Sequence, residues 1–548
     1  MSSVNSNSQT VILCAGGINH TNLPIHTNQT NAMVPVNGKP VIAWVLDDLA
    51  EKGFDRNLHI VVRSNYDRLI RFLNKYYFNK VELDIIKIEN SSSIIESLKY
   101  GLKNCQESAA TQVVLGDTLI KDPFNGDLDC IYIAETVESE KWCVVQFDEQ
   151  DIARQYINKE SNNGELSYAV SGYYSFSNTK LLKQAVNSVL SNHGKELSDV
   201  LQEYGKTCPI KVKKALEWYD FGHIDEFINS KKQLLRSRAF NSIEIDPVLN
   251  TLTKRSDNKE KLRDELNWYK TIPENLKIFT PRLLNPGNGD DEVKIVQEYY
   301  GYPTLSELFV YGELSFSVWK HVLDYLLVIH GEFKKESVVL APEVLELIYG
   351  VKTWERVDHA MQQPEIDEMF HIKHIKLNNR ELLNISELKD FLDTSIHKLS
   401  QSTAGCVIHG DFHFGNILYD LINQIVRLID PRGSFGNPGI YGDPRYDIAK
   451  LMHSISGKFD LITSDLFTIK ENGNCFETEL FTNEVHPQIE RYFNKRIIEL
   501  GYNLDEIKLI EALLFISMVP LHSDYPLRQK MMYLTGIEKL NDLYENSN

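Results

Sequence analysis

At about 150 residues per domain, a chain of 548 residues is too long for one compact core, and three or four packed layers or lobes are expected. Lys and Arg number 58 against 76 Asp and Glu, and the formal charge of −18 excludes a non-specific nucleic-acid binder, which needs a positive face to attract phosphate. With 42% hydrophobic and 24% charged residues, the composition excludes intrinsic disorder.

The opening residues have no positive segment followed by an apolar stretch and a small-residue cleavage site, so export is not expected. No apolar run approaches about 18 residues, which predicts no membrane span. The cysteines (Cys14, Cys105, Cys130, Cys143, Cys208, Cys406 and Cys475) are scattered, with no C-x-x-C pair to seed a zinc site. A reducing, cytoplasmic setting is the expectation.

In chain order, Thr10 to Leu13 reads as a strand, Cys14-Ala15-Gly16-Gly17 as a glycine turn and Pro40 to Glu51 as a helix. Strands come next at His59 to Arg63, Glu82 to Ile88 and Gln112 to Leu115, alternating with helices at Ser64 to Tyr77 and Ser92 to Asn104. This alternation predicts a mostly parallel sheet with ligands at the carboxyl ends of its strands. The pattern ends near Leu235, and a short linker is expected from there to Phe240. Beyond Asn241 the chain reads as a strand containing Lys254, a helical stretch through Glu265, a strand from Lys294 to Tyr299 and then long helices. That helical remainder is expected to be interrupted once, by two short strands flanking His409-Gly410-Asp411. No fixed-period repeat or heptad run is present.

A glycine pair after a strand is a weak signal by itself, because any tight strand-to-helix turn favours glycine. It is succeeded, however, by Val36-Asn37-Gly38-Lys39-Pro40, by Gly116-Asp117 at a strand end, by Asn158-Lys159 and by Trp218-Tyr219-Asp220-Phe221-Gly222. In this order they make residues 10 to about 235 resemble a nucleotidylyltransferase of the sugar-phosphate type. The resemblance implies that Ala15, Gly16 and Gly17 approach a nucleoside triphosphate, that Asp117 and Asp220 hold a magnesium ion, and that Lys159 meets the acceptor phosphate. The family's glycine loop also carries an arginine and a lysine. Here neither is present, and Asn31 stands at the lysine position. Charge-assisted contacts to the leaving pyrophosphate are lost with them. Ser91, Ser92 and Ser93 read either as a helix cap or as contacts to a base or phosphate.

The segment from Val407 to Leu418 carries Asp411 and Asn416 five positions apart between apolar strands, and Asp430 ends the next strand. A carboxylate to orient a hydroxyl and two metal-binding side chains form the core of a phosphoryl-transfer site. Left unpaired in a buried loop, three such groups would be costly without a ligand. About residues 240 to 548 thus resemble the aminoglycoside phosphotransferase and choline kinase group, distant relatives of protein kinases. The resemblance implies Asp411 as catalytic base, Asn416 and Asp430 as metal ligands, and His409 as a loop organiser braced by Asp447. Lys254 is implied as the contact to the α- and β-phosphates, with Glu265 as its helix partner, and Glu298 and Tyr299 as the hinge passing the adenine. Lys254 also reads as an ordinary solvated lysine. His413 reads as structural, and Arg432 and Arg445 as ion-pair partners within the loop region. Trp319, Trp354, Tyr441 and Tyr446 are candidate aromatic walls for a cationic acceptor.

Together the resemblances imply an α/β protein. A Rossmann-like nucleotidyltransferase domain, residues 1–237, has a mixed, mainly parallel sheet with helices on both faces. A bilobal, protein-kinase-like α+β domain occupies 238–548, with a small lobe to about 300 and a large helical lobe after it. The implied function is bifunctional: ATP and Mg2+ phosphorylate a hydroxyl of a small sugar, polyol or amino alcohol, and an NTP, CTP or UTP above others, then gives an activated NDP- or CDP-linked donor for surface polysaccharide or lipid modification. An alternative keeps the kinase and makes the first domain a scaffold. No nucleic-acid partner is expected, and oligomeric state is not legible.

Overall fold

The computed structural model describes residues 8–16, 30–77, 80–122, 127–236, 243–284 and 293–547. Gly17 of the expected glycine turn and Phe240 of the expected linker lie outside the described residues. The chain divides into two compact units, Met1–Leu234 and Leu235–Asn548.

The first unit is built on a nine-stranded sheet. Its main path runs Ala153–Asn158, Cys143–Phe147, Ser167–Phe176, Ala110–Leu115, Ser8–Leu13, Leu58–Arg63, Leu83–Ile88. The expected alternation is present, with helices Val41–Glu51, Asp67–Phe72 and Ile94–Leu102 between these strands and a π-helical turn at Leu73–Tyr77. Ser8–Leu13 pairs in parallel with both Leu58–Arg63 and Ala110–Leu115, and Leu58–Arg63 with Leu83–Ile88. The expectation of a mainly parallel sheet needs correction. Ser167–Phe176 runs antiparallel to three neighbours, and Ala153–Asn158 antiparallel to Cys143–Phe147, so antiparallel pairing is as frequent as parallel. The physical reason lies in the connections. Between residues 136 and 167 they are too short for the dozen or more residues of a helical crossover, and the chain reverses at the hairpin of Cys143–Phe147 with Ala153–Asn158. The core between sheet and helices includes Val11, Val61, Ile95, Leu98, Val113 and Ile131, all at most 1% exposed.

In the second unit, Ile243–Asp246, Thr251–Lys254 and Ile295–Glu298 form an antiparallel three-stranded sheet. The helix Lys259–Thr271 packs Leu262 and Leu266 onto it beside Ile295. Helices dominate the remainder of this unit, but strands interrupt them more than once. His374–Leu377, Arg380–Leu383, Phe467–Asn472 and Cys475–Leu480 form a four-stranded sheet absent from the sequence expectation. Its two hairpins turn at Asn378-Asn379, with φ of 48° and 70°, and at Gly473-Asn474, with φ of 61° at the glycine. Such turns are the strongest local hairpin signal. Ala404–Val407 precedes the His409 loop, and the hairpin Ile417–Asp420 with Ile425–Leu428 comes after it. Among the described residues no helix is long and apolar enough to cross a membrane.

Gly433 shows how closely the loop after Asp430 meets the small sheet's helix. Its φ is 67°, and a Cβ there would lie 2.2 Å from the carbonyl oxygen of Asp264. Gly433→Ala meets both left-handed strain and rigid main chain. It is expected to cost about 2 kcal/mol or more and to lower the melting transition of the second unit, as read by calorimetry.

Candidate functional site

In the first unit a short ladder brings two carboxylates together. Gly116 N donates to Leu13 O at 3.0 Å, which tethers the end of Ala110–Leu115 to the first strand. The chain then enters Thr118–Ile120, which pairs antiparallel with Trp218–Asp220 so that Thr118 faces Asp220. Trp218 Nε1 donates to Thr118 Oγ1 at 2.9 Å, and Phe221 N to Asp117 O at 3.1 Å. As a result Asp117 and Asp220 converge on Gly222, where a Cβ would lie 3.4 Å from Asp117 Oδ2 and 3.6 Å from Asp220 Oδ1.

The two carboxylates are held differently. Asp220 Oδ2 accepts from Gly222 N at 3.2 Å and His223 N at 3.0 Å, with His223 Nδ1 at 2.9 Å. Asp117 Oδ2 has Asn31 Nδ2 at 3.5 Å, so the residue standing at the missing-lysine position supplies a weak neutral donor. Burial, and then repulsion from Asp220, push the Asp117 carboxyl up to about 6. The bond to Asp220 raises the His223 imidazole. Two converging oxygen donors that repel one another fit a hard divalent cation. Among the described residues no cluster of three or more His, Cys, Asp or Glu forms a closed metal site. A cation here would therefore take its remaining oxygens from substrate.

Asp117 is shared by two cavities. One, of about 220 Å³, is lined by Asp220, His223, Lys159, Trp142 and Ser198 among others. The other, of about 300 Å³, is lined by Ala15, Gly16, Asn31, Arg63 and Ser91 to Ser93. Lys159 succeeds the strand Ala153–Asn158 with φ 53°, and its N–H donates to Trp142 O at 2.9 Å. Trp142 stands edge-on to Trp218 and His223, with centroids 4.8 and 4.4 Å away. Ser93 caps the helix Ile94–Leu102 by accepting from Glu96 N, as the cap reading expects, and the three serines line the cavity as well. Arg63 is a cavity residue that motif reading missed. Its signal is its place at the carboxyl end of a parallel strand, where sheets of this kind bind ligands.

In the second unit Lys254 Nζ lies 2.8 Å from Glu265 Oε2 and 2.8 Å from Asp430 Oδ1. Burial works against the Lys254 charge, but Asp430 and Glu265 outweigh it and raise the ammonium. Asn416 Nδ2 donates to Asp411 O and Oδ2, both at 3.0 Å, and Asn416 O accepts from Ile429 N, one residue before Asp430. The loop is braced from below: Asp447 accepts from His409 N at 2.7 Å and Gly410 N at 2.8 Å. The buried His409 imidazole is pushed down to about 4 by burial and is neutral. His413 Nδ1 accepts from Gly415 N, in keeping with a structural role. Arg445 is bonded to Asp443 and Glu506, and Arg432 to Tyr446.

Three expectations need correction. Asp411, Asn416 and Asp430 are not unpaired: lysines answer both carboxylates. Lys450 Nζ lies 2.8 Å from Asp411 Oδ1. Burial opposes the Asp411 charge, yet Lys450 and His413 hold its carboxyl well below the usual range. Lys450 was missed in the sequence, although it lies one helical turn beyond Asp447 on Pro444–Ile455 and so shares its face. The hinge amides are also engaged, Glu298 N with Arg282 O at 3.0 Å and Tyr299 N with Asn250 O at 2.9 Å. The strand end is tied back to its own sheet, so these two N–H groups do not wait for a base. Finally, Trp319 is 2% exposed and stacks on Phe414 in the core, because its helix turns that face inward.

Residues 10–237 match the family model for nucleotidyl transferases, which supports a nucleotidyltransferase domain in that stretch of the chain. Over 230 residues the chain is 21% identical to the bifunctional protein GlmU of Methanocaldococcus jannaschii, covering 41% of this chain and 54% of that one. It thus spans about half the length of that curated relative. Among solved structures, HddC from Yersinia pseudotuberculosis aligns at 19% identity over 41% of this chain and 99% of its own, with a TM-score of 0.34. The CTP:phosphocholine cytidylyltransferase LicC of Streptococcus pneumoniae aligns at 16% identity over 42% and 99%, with a TM-score of 0.35.

The raised Asp117 carboxyl gives two readouts. Metal and proton compete for it, so Mn2+ affinity is expected to fall as pH drops through about 6, and Asp117→Asn to remove that dependence; titration calorimetry reads both. For stability the sign is opposite. A folded carboxyl raised from 3.8 to about 6 contributes fully below the unfolded value and loses its contribution as pH rises through 6. Metal-free Asp117→Asn should therefore melt above wild type at pH 7.5, by about 6–12 °C, with the difference closing near pH 4.

Proposed function

We propose that the chain is a bifunctional transferase acting on a small hydroxylated molecule in two consecutive steps. The observation that carries the reading is the convergence of Asp117 and Asp220 on Gly222, between a cavity with Lys159 and one with the glycine turn. In the nucleotidyl step an oxygen of the acceptor phosphate forms a bond to the α-phosphorus of a nucleoside triphosphate, CTP or UTP above others. The bond from α-phosphorus to the bridging oxygen breaks, and pyrophosphate leaves. Lys159 holds the acceptor phosphate by charge. Asp117 and Asp220 would hold Mg2+, which would supply positive charge to neutralise the charge developing on the triphosphate.

The preceding step belongs to the second unit. A substrate hydroxyl attacks the γ-phosphorus of ATP, its proton passes to Asp411, and ADP leaves. The geometry favours this role for Asp411, because Lys450, Asn416 and His413 keep it anionic and oriented, as a general base in phosphoryl transfer must be. Asn416 and Asp430 would hold the metal of that step, and Lys254, positioned by Glu265, would meet the ATP phosphates. The substrate class is a sugar, polyol or amino alcohol, and the product an NDP- or CDP-linked donor of the kind consumed in surface glycan or lipid modification.

A second reading rests on one specific observation: no Lys or Arg occurs between Cys14 and Gly38, where the resembled family places both. It makes the first unit a binding scaffold for the kinase product. Mass spectrometry of products formed from ATP, CTP, UTP and a panel of sugars and amino alcohols separates these outcomes. The bifunctional reading expects a phosphorylated intermediate and a nucleotide-linked product in wild type. Asp411→Asn should lower formation of the intermediate at least about a hundredfold while sparing nucleotidylation of added phosphate ester. Asp220→Asn should do the reverse, and a wild type that stops at the phosphate ester leaves only the scaffold.

A further inference from the structure

The first unit must bind a strongly anionic nucleotide at a turn that brings no cation of its own. Between Cys14 and Gly38 the sequence contains neither Lys nor Arg. The cavity of about 300 Å³ at that turn already carries the negative Asp117, and among its described lining residues Arg63 is the cationic one. Lys141 and Lys159 line the other cavity, where the acceptor phosphate is placed.

Arg63 reaches the turn because of strand register. Ser8–Leu13 and Leu58–Arg63 are parallel, with Leu13 opposite Val61, so Arg63 stands two residues past that pair, beside Ala15. Its Nε donates to Ala15 O at 2.9 Å, and Tyr66 donates its hydroxyl to Gly16 O at 2.8 Å. Both turn carbonyls are thus taken up on the Arg63 and Tyr66 side. Among the described residues a Cβ at Gly16 would meet nothing within 4 Å. With Nε occupied, the four N–H groups on the two terminal nitrogens of Arg63 have no partner among the described residues.

We propose that Arg63 is the polyphosphate contact of this site, supplying from the second strand the positive charge that the glycine turn lacks. The inference rests on the nucleotidyl reading of the same site and adds to it the residue that makes catalysis at a cation-free turn tolerable. Anchoring through Nε holds the guanidinium plane fixed, so that its forked terminal donors meet phosphate oxygens at little conformational cost.

The test is equilibrium binding of Mg·CTP, Mg·UTP, cytidine and uridine to the full chain, the binding event of the first unit being the one that Asp117→Asn removes. Arg63→Gln places its amide nitrogen where Nε stood, which keeps a donor to Ala15 O but removes the charge. Arg63→Lys keeps the charge and gives up the fork. The expected result for Arg63→Gln is a loss on the order of tenfold or more in triphosphate affinity, with nucleoside affinity and melting temperature unchanged. Arg63→Lys should fall between it and wild type. An equal loss for nucleoside and triphosphate would overturn the proposal by assigning Arg63 to the base, and unchanged triphosphate affinity in Arg63→Gln would overturn it outright. If wild type shows no binding event sensitive to Asp117→Asn, the nucleotidyl reading itself falls, and this inference with it.

Discussion

Carboxylates that the fold forces together repel one another, and each unit of this chain answers that repulsion in its own way. In the first unit Asp117 and Asp220 face each other over Gly222, bonded among the described residues to the Asn31 amide, the His223 imidazole and the main-chain N–H groups of Gly222 and His223. No lysine or arginine is bonded to either among the described residues, and burial, then repulsion from Asp220, raises the Asp117 carboxyl. The charge balance of that pair is left to something that arrives from solution. A divalent cation carried by a triphosphate matches both the sign and the oxygen chemistry required.

The second unit closes the same balance internally. Lys254 spans Glu265 and Asp430, and Lys450 holds Asp411. Backbone bracing complements the ion pairs, since Asp447 accepts from the consecutive main-chain N–H groups of His409 and Gly410 and Asn416 ties Asp411 to the strand before Asp430. Removing one partner from such a network leaves a poorly solvated charge, so the network favours a single arrangement of the loop. Among its carboxylates, Asp411 is held, against its burial, well below the usual range by Lys450 and His413.

Much of the framework was legible from local signals. The alternation of strands and helices to Leu115 is close to what the apolar pattern predicts, with ends shifted by a few residues, as for the helix Ile94–Leu102 against a reading of Ser92 to Asn104. The Lys254–Glu265 pair and the Asp447 brace also matched, because each depends on motif residues lying in or beside regular elements. The four-stranded sheet of the second unit is signalled by the Asn378-Asn379 and Gly473-Asn474 turns, but helical segments on both sides dominate the sequence pattern. The mainly parallel expectation failed where short connections replaced crossovers between residues 136 and 167.

By itself the sequence determined which chemistry-bearing groups exist and in what order: a glycine turn without cations, two aspartates about a hundred residues apart, and an aspartate, asparagine and aspartate on one loop and hairpin. Spacing along the chain carries that information, because strand ends and tight turns impose local constraints on residue type. Tertiary structure alone decided that Asp117 and Asp220 converge, since a ladder of three residues sets that distance. It also decided that Arg63 and Lys450 belong to these sites. Each lies on an ordinary strand or helix, and only parallel register in one case and a buried helix face in the other turns a common basic residue into a partner for an anion.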